Sequence, residues 1–352
     1  MKKLPLIALC FSLTACANFP GSGNFLSSNE NPICSEARSA VSTMPVTQSL
    51  RYGFFSDFNP LSYAATLNEF SSEANDPLGY EPSLIKAVSL FGKGALQFQS
   101  IAIPNPFKGI WLDSASTDFD LVGGGITALE NRRYVGSDHS SPLITFGVGH
   151  VSFRQSLLTR ENFEITNYHE LNHGHKIGVL AGTTGEVRLL ELVGYVDDAG
   201  YLSVGSLVGY PLDIKLESHQ GDVLSAAVQS QSLAGRVSLS YEERNLPQII
   251  YFNNEFDALL ALESGDIDGF ARGEIGNQVA SVQDEGVELK VAVIDRQQVE
   301  YGAFSYPATA EGDLLRGVMD KVISCLTDDN KVGFAQWNTN NEIFSQRANK
   351  FR

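Results

Sequence analysis

DFDLVGGGITALENRR, running from Asp118 to Arg133, is the stretch on which the reading of this chain turns. The apolar run Phe119, Leu121, Val122 has strand character and stops at Gly123-Gly124-Gly125. Glycines, lacking a Cβ, let a ligand approach main-chain N–H and C=O groups. Thr127 then brings a hydroxyl, and Arg132 a guanidinium that can grip a carboxylate through two charge-assisted hydrogen bonds. Taken alone, Arg132 fits a surface position on a helix after the turn equally well. A second stretch of the same build follows, KIGVLAGTTGE from Lys176 to Glu186. It reads as a short strand, a glycine turn and Thr183-Thr184 opening a helix whose first N–H groups favour an anion.

Outward from these motifs the chain alternates strands and helices. Residues 50–55 read as a strand, and 79–91 as a helix with Leu84, Ile85, Val88 and Phe91 on one face. Residues 96–103 read as a strand and 105–112 as a short helix. This order predicts a mainly parallel sheet with helices on its faces, and ligands sit at the carboxyl ends of such strands. From about residue 145 a second unit begins: a strand at 151–158, the helix after Thr184, and alternating apolar runs with turn dipeptides over 195–246. Phe256, Leu259, Leu260 and Leu262 mark a further helix, and residues 267–271 a strand leading into Arg272-Gly273-Glu274. Strands at 287–294 and 302–306 are expected to return to the first unit, and 314–326 reads as an amphipathic helix.

The two motifs, in this order and spacing, resemble the family 3 extracellular solute-binding proteins of ABC transporters, over roughly residues 48 to 330. The resemblance implies an α/β, two-lobe periplasmic-binding-protein-like fold. Its lobes are discontinuous, with parallel-type sheets joined by two hinge crossings near residues 146–150 and 294–302. Lobe 1 is then 48–147 plus 295–352, and lobe 2 is 148–294, with 195–246 a β-rich insertion where the family has a short connection. The resemblance further implies that Arg132 holds a ligand carboxylate, helped by Thr127, Gly125, Thr183 and Thr184, with Phe58 and Phe107 as aromatic walls. Phe55 is expected beside them, an apolar ring unsuited to a cationic ligand. Members that bind α-amino acids carry an aspartate where this chain has Gly273. Either Glu274 reaches the amine instead, or Arg272 makes the site doubly cationic and favours an acid without an amine. The residues leave both open.

Residues 1–15 (MKKLPLIALCFSLTA) have the charge and short apolar run of a signal peptide, and Leu13-Thr-Ala-Cys16 resembles a lipoprotein box. Cys16 is the expected lipidation site, and 16–47 a tether and N-terminal extension, which places the chain in the periplasm or on the cell surface. Cys34 and Cys325 then remain and are expected to pair in that oxidising compartment. A net charge of −16 excludes a nucleic-acid partner. The expected partners are a small carboxylate or amino-acid ligand, a transporter permease and, through lipid, the membrane; the chain is a monomer and needs no cofactor. His169-Glu-Leu-Asn-His173 has the H-E-x-x-H pattern of zinc peptidases, but Gly174 would end the required helix at once, so no metal is assigned. An enzyme on the same fold with Glu274 as general acid, and a ligand-sensing module, are the alternatives to transport.

Overall fold

The structure is a computed structural model describing residues 31–44, 49–64, 76–135, 140–282 and 286–352. The expected signal peptide, Cys16 and most of the expected tether lie outside the described residues. No helix among them is long and apolar enough to cross a membrane.

Two separate sheets organise the chain. The first has five strands in the order Gln97–Ile103, Ser49–Phe55, Leu121–Gly123, Ser305–Pro307, Ile144–Phe146. Ser49–Phe55 pairs in parallel with both neighbours, as the strand–helix–strand order demands. The Tyr80–Gly92 helix buries Leu84, Ile85, Val88 and Phe91 and ends at Lys93 in the left-handed conformation. Ile110–Ala115 is a short 3-10 helix, later than the expected 105–112.

The second sheet has eight strands: Ile214–Glu217, Leu207–Tyr210, Ser238–Ser240, Gln248–Phe252, Lys176–Leu180, Gly269–Gly273, Gln155–Arg160, Leu289–Ile294. Its centre is parallel, with Lys176–Leu180 between Gln248–Phe252 and Gly269–Gly273. Here one expectation is corrected: Leu289–Ile294 does not return to the first sheet; it pairs antiparallel with Gln155–Arg160 at the edge of the second. Residues 195–246 contribute strands to this same sheet, since Ser238–Ser240 pairs antiparallel with Gln248–Phe252 and carries the sheet outward. The chain passes between the sheets twice, and both passages join in one antiparallel ladder, Val151–Phe153 against Glu300–Gly302.

The helices are capped as their sequences demand. Thr183 Oγ1 accepts from Glu186 N and opens Thr184–Val193, which stops at left-handed Gly194. Thr309 does the same for Ala310–Thr327. Such caps contribute about 1 kcal/mol each. The first core gathers the Tyr80–Gly92 and Ala310–Thr327 helices around Tyr52, Phe54, Phe304 and Tyr306. The Pro32–Ser42 helix lies on it, held by a Cys34–Cys325 disulfide that spans 291 positions.

That crosslink ties the N-terminal helix to the far end of the chain, so it restricts the unfolded state strongly. Replacing both cysteines by serine is expected to lower stability by about 2–5 kcal/mol, read as the shift of a urea unfolding midpoint. An unchanged midpoint would mean that the helix docks without help from the crosslink.

Candidate functional site

Between the two sheets lies a closed cleft, and the glycine motif forms one of its walls. Gly124 and Gly125 have positive φ, and a Cβ on them would strike Phe55 and the Phe58 ring at 2.3 and 2.7 Å. Only glycine fits there. Their N–H groups do not face a ligand, however. They donate to the buried Glu81 carboxylate at 2.6 and 3.1 Å, and the same carboxylate meets His150 Nε2 at 3.0 Å. Glu81 stands in the first turn of Tyr80–Gly92, so the helix fixes the glycine turn through it.

Arg132 ends the motif within the 3-10 turn Glu130–Arg133 and is 1% exposed, so the surface alternative is excluded. Its guanidinium lies 4.0 Å from the centre of the Trp111 ring and 5.9 Å from that of Phe107. Three carbonyls accept from it: Thr127 at 3.2 Å, Gly182 at 3.1 Å and Ala226 at 3.0 Å. Among the described residues no acid forms an ion pair with it. Burial lowers its pKa to about 9, partly countered by the Glu300 carboxylate, so it keeps its charge at neutral pH. An unpaired buried cation of this kind costs several kcal/mol, only partly offset by neutral carbonyls.

Beside Arg132 a polar network bridges the sheets. Thr127 Oγ1 donates to Glu300 Oε2 at 2.9 Å and meets Thr184 Oγ1 at 3.3 Å. Gln155 Nε2 donates to Thr184 Oγ1 and to Glu300 Oε1, each at 2.9 Å. Gln155 Oε1 is buried and has no partner among the described residues. The space enclosed is about 20 Å³, lined by Phe58, Phe107, Gly125, Thr127, Arg132, Phe153, Gln155, Thr183, Thr184, Arg272 and Gly273. That volume holds roughly one water, so the lobes are shut on each other.

The structure brings Arg132, Thr127, Gly125, Thr183, Thr184, Phe58, Phe107 and Arg272 to this space, with Phe58 and Phe107 stacked 6.0 Å apart. Phe55 stands behind them, edge-on to Phe107 in a core with Ile103 and Val122. Arg272 is already paired: Glu255 lies 2.6 Å from Nη1, and Asn277 and the Gly276 carbonyl accept its other donors at 2.8 Å. Glu274 points elsewhere, into a crevice with His150, Tyr301 and Phe334, and its nearest cation is Arg154 at 4.0 Å. Residues not anticipated are Trp111, Phe153, Gln155 and Glu300. Three of them sit on the strands at the crossings, where alternation marks two faces but not which one meets the cleft. The H-E-x-x-H segment is a single 3-10 turn, Tyr168–Glu170, so His169 and His173 share no helical face.

No protein-family model matches the chain, and no curated protein matches it by sequence. Solved structures do match in shape. An amino acid ABC transporter substrate-binding protein, AbpA, from Streptococcus pneumoniae bound to L-arginine gives a TM-score of 0.55 at 12% identity, over 86% of this chain and 95% of that one. ArtJ of Geobacillus stearothermophilus, an arginine-, lysine-, histidine-binding protein, gives 0.54 at 16% identity, over 85% and 94%. An ancestral arginine-binding protein bound to arginine gives 0.54 at 15%, over 86% and 99%. The chain thus has the α/β two-lobe periplasmic-binding-protein fold.

The Arg272–Glu255 pair supplies a direct check on this geometry. Burial raises the Glu255 pKa, opposed by Arg272. Glu255→Ala strands the buried guanidinium and is expected to cost about 3–5 kcal/mol of stability, whereas Glu255→Met with Arg272→Met costs far less. Equal losses in thermal or urea unfolding would show that the two side chains are not partners.

Proposed function

We propose that this chain is an exported, lipid-anchored solute-binding protein of an ABC importer, capturing a small carboxylate-bearing solute between lobes 48–147 plus 295–352 and 148–294. The observation that carries the reading is Arg132: a buried guanidinium between the two sheets, under aromatic rings, with no acid for a partner among the described residues. A carboxylate would complete it. Thr183 and Thr184, at the positive end of a ten-residue helix, favour the same charge. The Val151–Phe153 and Glu300–Gly302 ladder is the hinge about which the lobes part. Likeness to proteins named for amino-acid binding supports this assignment. Outside the membrane, the lipid on Cys16 would hold the chain near a permease that recognises its closed form.

The solute's amine is decided by Glu300 rather than by Glu274 or Arg272. Glu300 is buried, touches Thr127 and Gln155, and stands with the unpartnered Gln155 Oε1 as the acceptor side of the cleft. Donors on the ligand are therefore wanted opposite its carboxylate, which makes an amino acid the first expectation. The enzymatic alternative loses its general acid, because Glu274 does not reach the cleft.

A thermal-shift and calorimetric panel of amino acids, dicarboxylates and keto acids tests this, since a ligand of the native state raises the melting point. Arg132→Ala is expected to weaken the stabilising ligand by about 2–5 kcal/mol with the fold retained. Glu300→Gln should weaken amine-bearing acids selectively. If Arg132→Ala leaves affinity untouched, Arg132 is not the anchor; if Glu300→Gln weakens all acids alike, Glu300 only positions Thr127.

A further inference from the structure

One of the carbonyls on Arg132 belongs to the inserted segment. Residues 223–230 form a β-finger: Leu224 bridges Gln229, Ser230 N donates to Val223 O at 2.8 Å, and Ser225 N donates to Val228 O at 2.9 Å across the tip. Ser225 Oγ also accepts from Val228 N at 3.0 Å, which stiffens the turn. At that tip the buried Ala226 presents its carbonyl to Arg132 Nε. The finger belongs to the second sheet's extension, whereas Arg132 follows a strand of the first. The contact therefore crosses the cleft.

The finger is pinned from behind. Gln229 Nε2 donates to Glu186 Oε2 at 3.2 Å, and Arg236, stacked over Tyr251, donates from Nη1 to Gln229 Oε1 at 3.0 Å and pairs with Glu186. Burial alone would lower the Arg236 pKa, but Glu186 and its neighbours raise it overall. Glu186 also accepts from Gly182 N at 2.6 Å, and Gly182 O is a second carbonyl on Arg132. One carboxylate thus seats both the finger and the glycine turn against the guanidinium. Outside the tip lies a crevice of about 190 Å³, bordered by Asn131, Thr184, Arg188, Ser225, Ala226 and Glu300. Ala226 stands between this crevice and Arg132.

We propose that the 223–230 finger is a built-in competitor for Arg132, filling its carboxylate place when the lobes are shut without an acid and withdrawing when one enters through the crevice. The proposal rests on Arg132 being the ligand anchor. A neutral peptide carbonyl satisfies the guanidinium less strongly than a carboxylate does, so an acid displaces the tip and a neutral solute does not. The tip residues Ser225, Ala226, Ala227 and Val228 are small or short and carry no charge that would hold them in place. Apparent affinity is then reduced by the fraction of molecules in which the finger is seated.

The test shortens the tip, replacing Ser225–Val228 by Asn-Gly, a turn that keeps a two-stranded finger paired. Phenylglyoxal labelling of Arg132, followed by peptide mass spectrometry, needs no ligand. With the finger seated in about nine of ten molecules, Arg132 in the shortened chain reacts roughly tenfold faster than in the parent. The best acid from a panel of L-glutamine, L-arginine and succinate binds it tighter by a similar factor. An unchanged labelling rate overturns the proposal, whatever binds. Faster labelling with no acid bound by either chain keeps the finger and sinks the anchor reading instead. Should the shortened chain lose its cooperative melt, Gln229→Ala, which unpins the finger while leaving its tip and the Glu186–Gly182 contact in place, is labelled and judged by the same rate.

Discussion

A buried guanidinium held by carbonyls, with no acidic partner among the described residues, is the constraint around which this molecule is arranged. Arg132 reaches the interior because Trp111 and Phe107 cover its flat faces and because carbonyls arrive from both sheets. Each of those carbonyls depends on a local device. Thr127 is held by its bridge to Gly302, and Gly182 can turn its oxygen inward because its φ is positive. A Cβ at Gly182 would also collide with Lys108 from the opposite side of the cleft, at 2.8 Å. Charge, glycine turn and lobe closure are thus one problem solved in one place.

The remaining buried charges are settled differently. Glu81 meets His150, Glu186 meets Arg236, and Glu255 meets Arg272, each within the elements of a single sheet. Such pairs roughly balance their own desolvation and add little net stability. Their contribution is position: Glu81 shapes the Gly124-Gly125 turn, and Glu186 holds the N-terminus that presents Thr183 and Thr184. Arg132 and Glu300 are the exceptions. They share Thr127, one through its carbonyl and the other through its hydroxyl, without touching each other. Two opposite charges are thus held apart across one shared residue.

The order of strands and helices was legible because apolar periodicity and capping residues such as Thr183 and Gly194 act locally. Arg132 and the threonines were singled out only because two glycine-turn motifs follow each other in the order and spacing of the resemblance; Arg132 read alone fitted a surface helix equally well, and its burial comes from the fold. Partnerships across the chain were not legible. Glu255 lies on a different helix from Arg272's own strand, and only the fold makes it the counter-charge. Glu274 stays out of the cleft because it opens a helix just past the Gly269–Gly273 strand, and it borders the crevice with Tyr301 and Phe334 instead. Gln155 and Glu300 flank the crossings, and which face of a crossing strand meets the cleft is set by tertiary packing alone.

The insertion follows from the same geometry. The Thr184–Val193 helix starts at the cleft and ends at Gly194, about 15 Å away, where Gln248–Phe252 begins beside Lys176. A short connection between those two points would never approach the cleft. Residues 195–246 instead build outward strands along Gln248–Phe252, and the sheet's own direction carries the segment back toward the helix N-terminus. There Arg236 finds Glu186, and the finger tip comes within reach of Arg132. A segment added only to enlarge the sheet would have no reason to bury an ion pair under the cleft-lining turn. Its position there ties the added strands to the chemistry of the guanidinium.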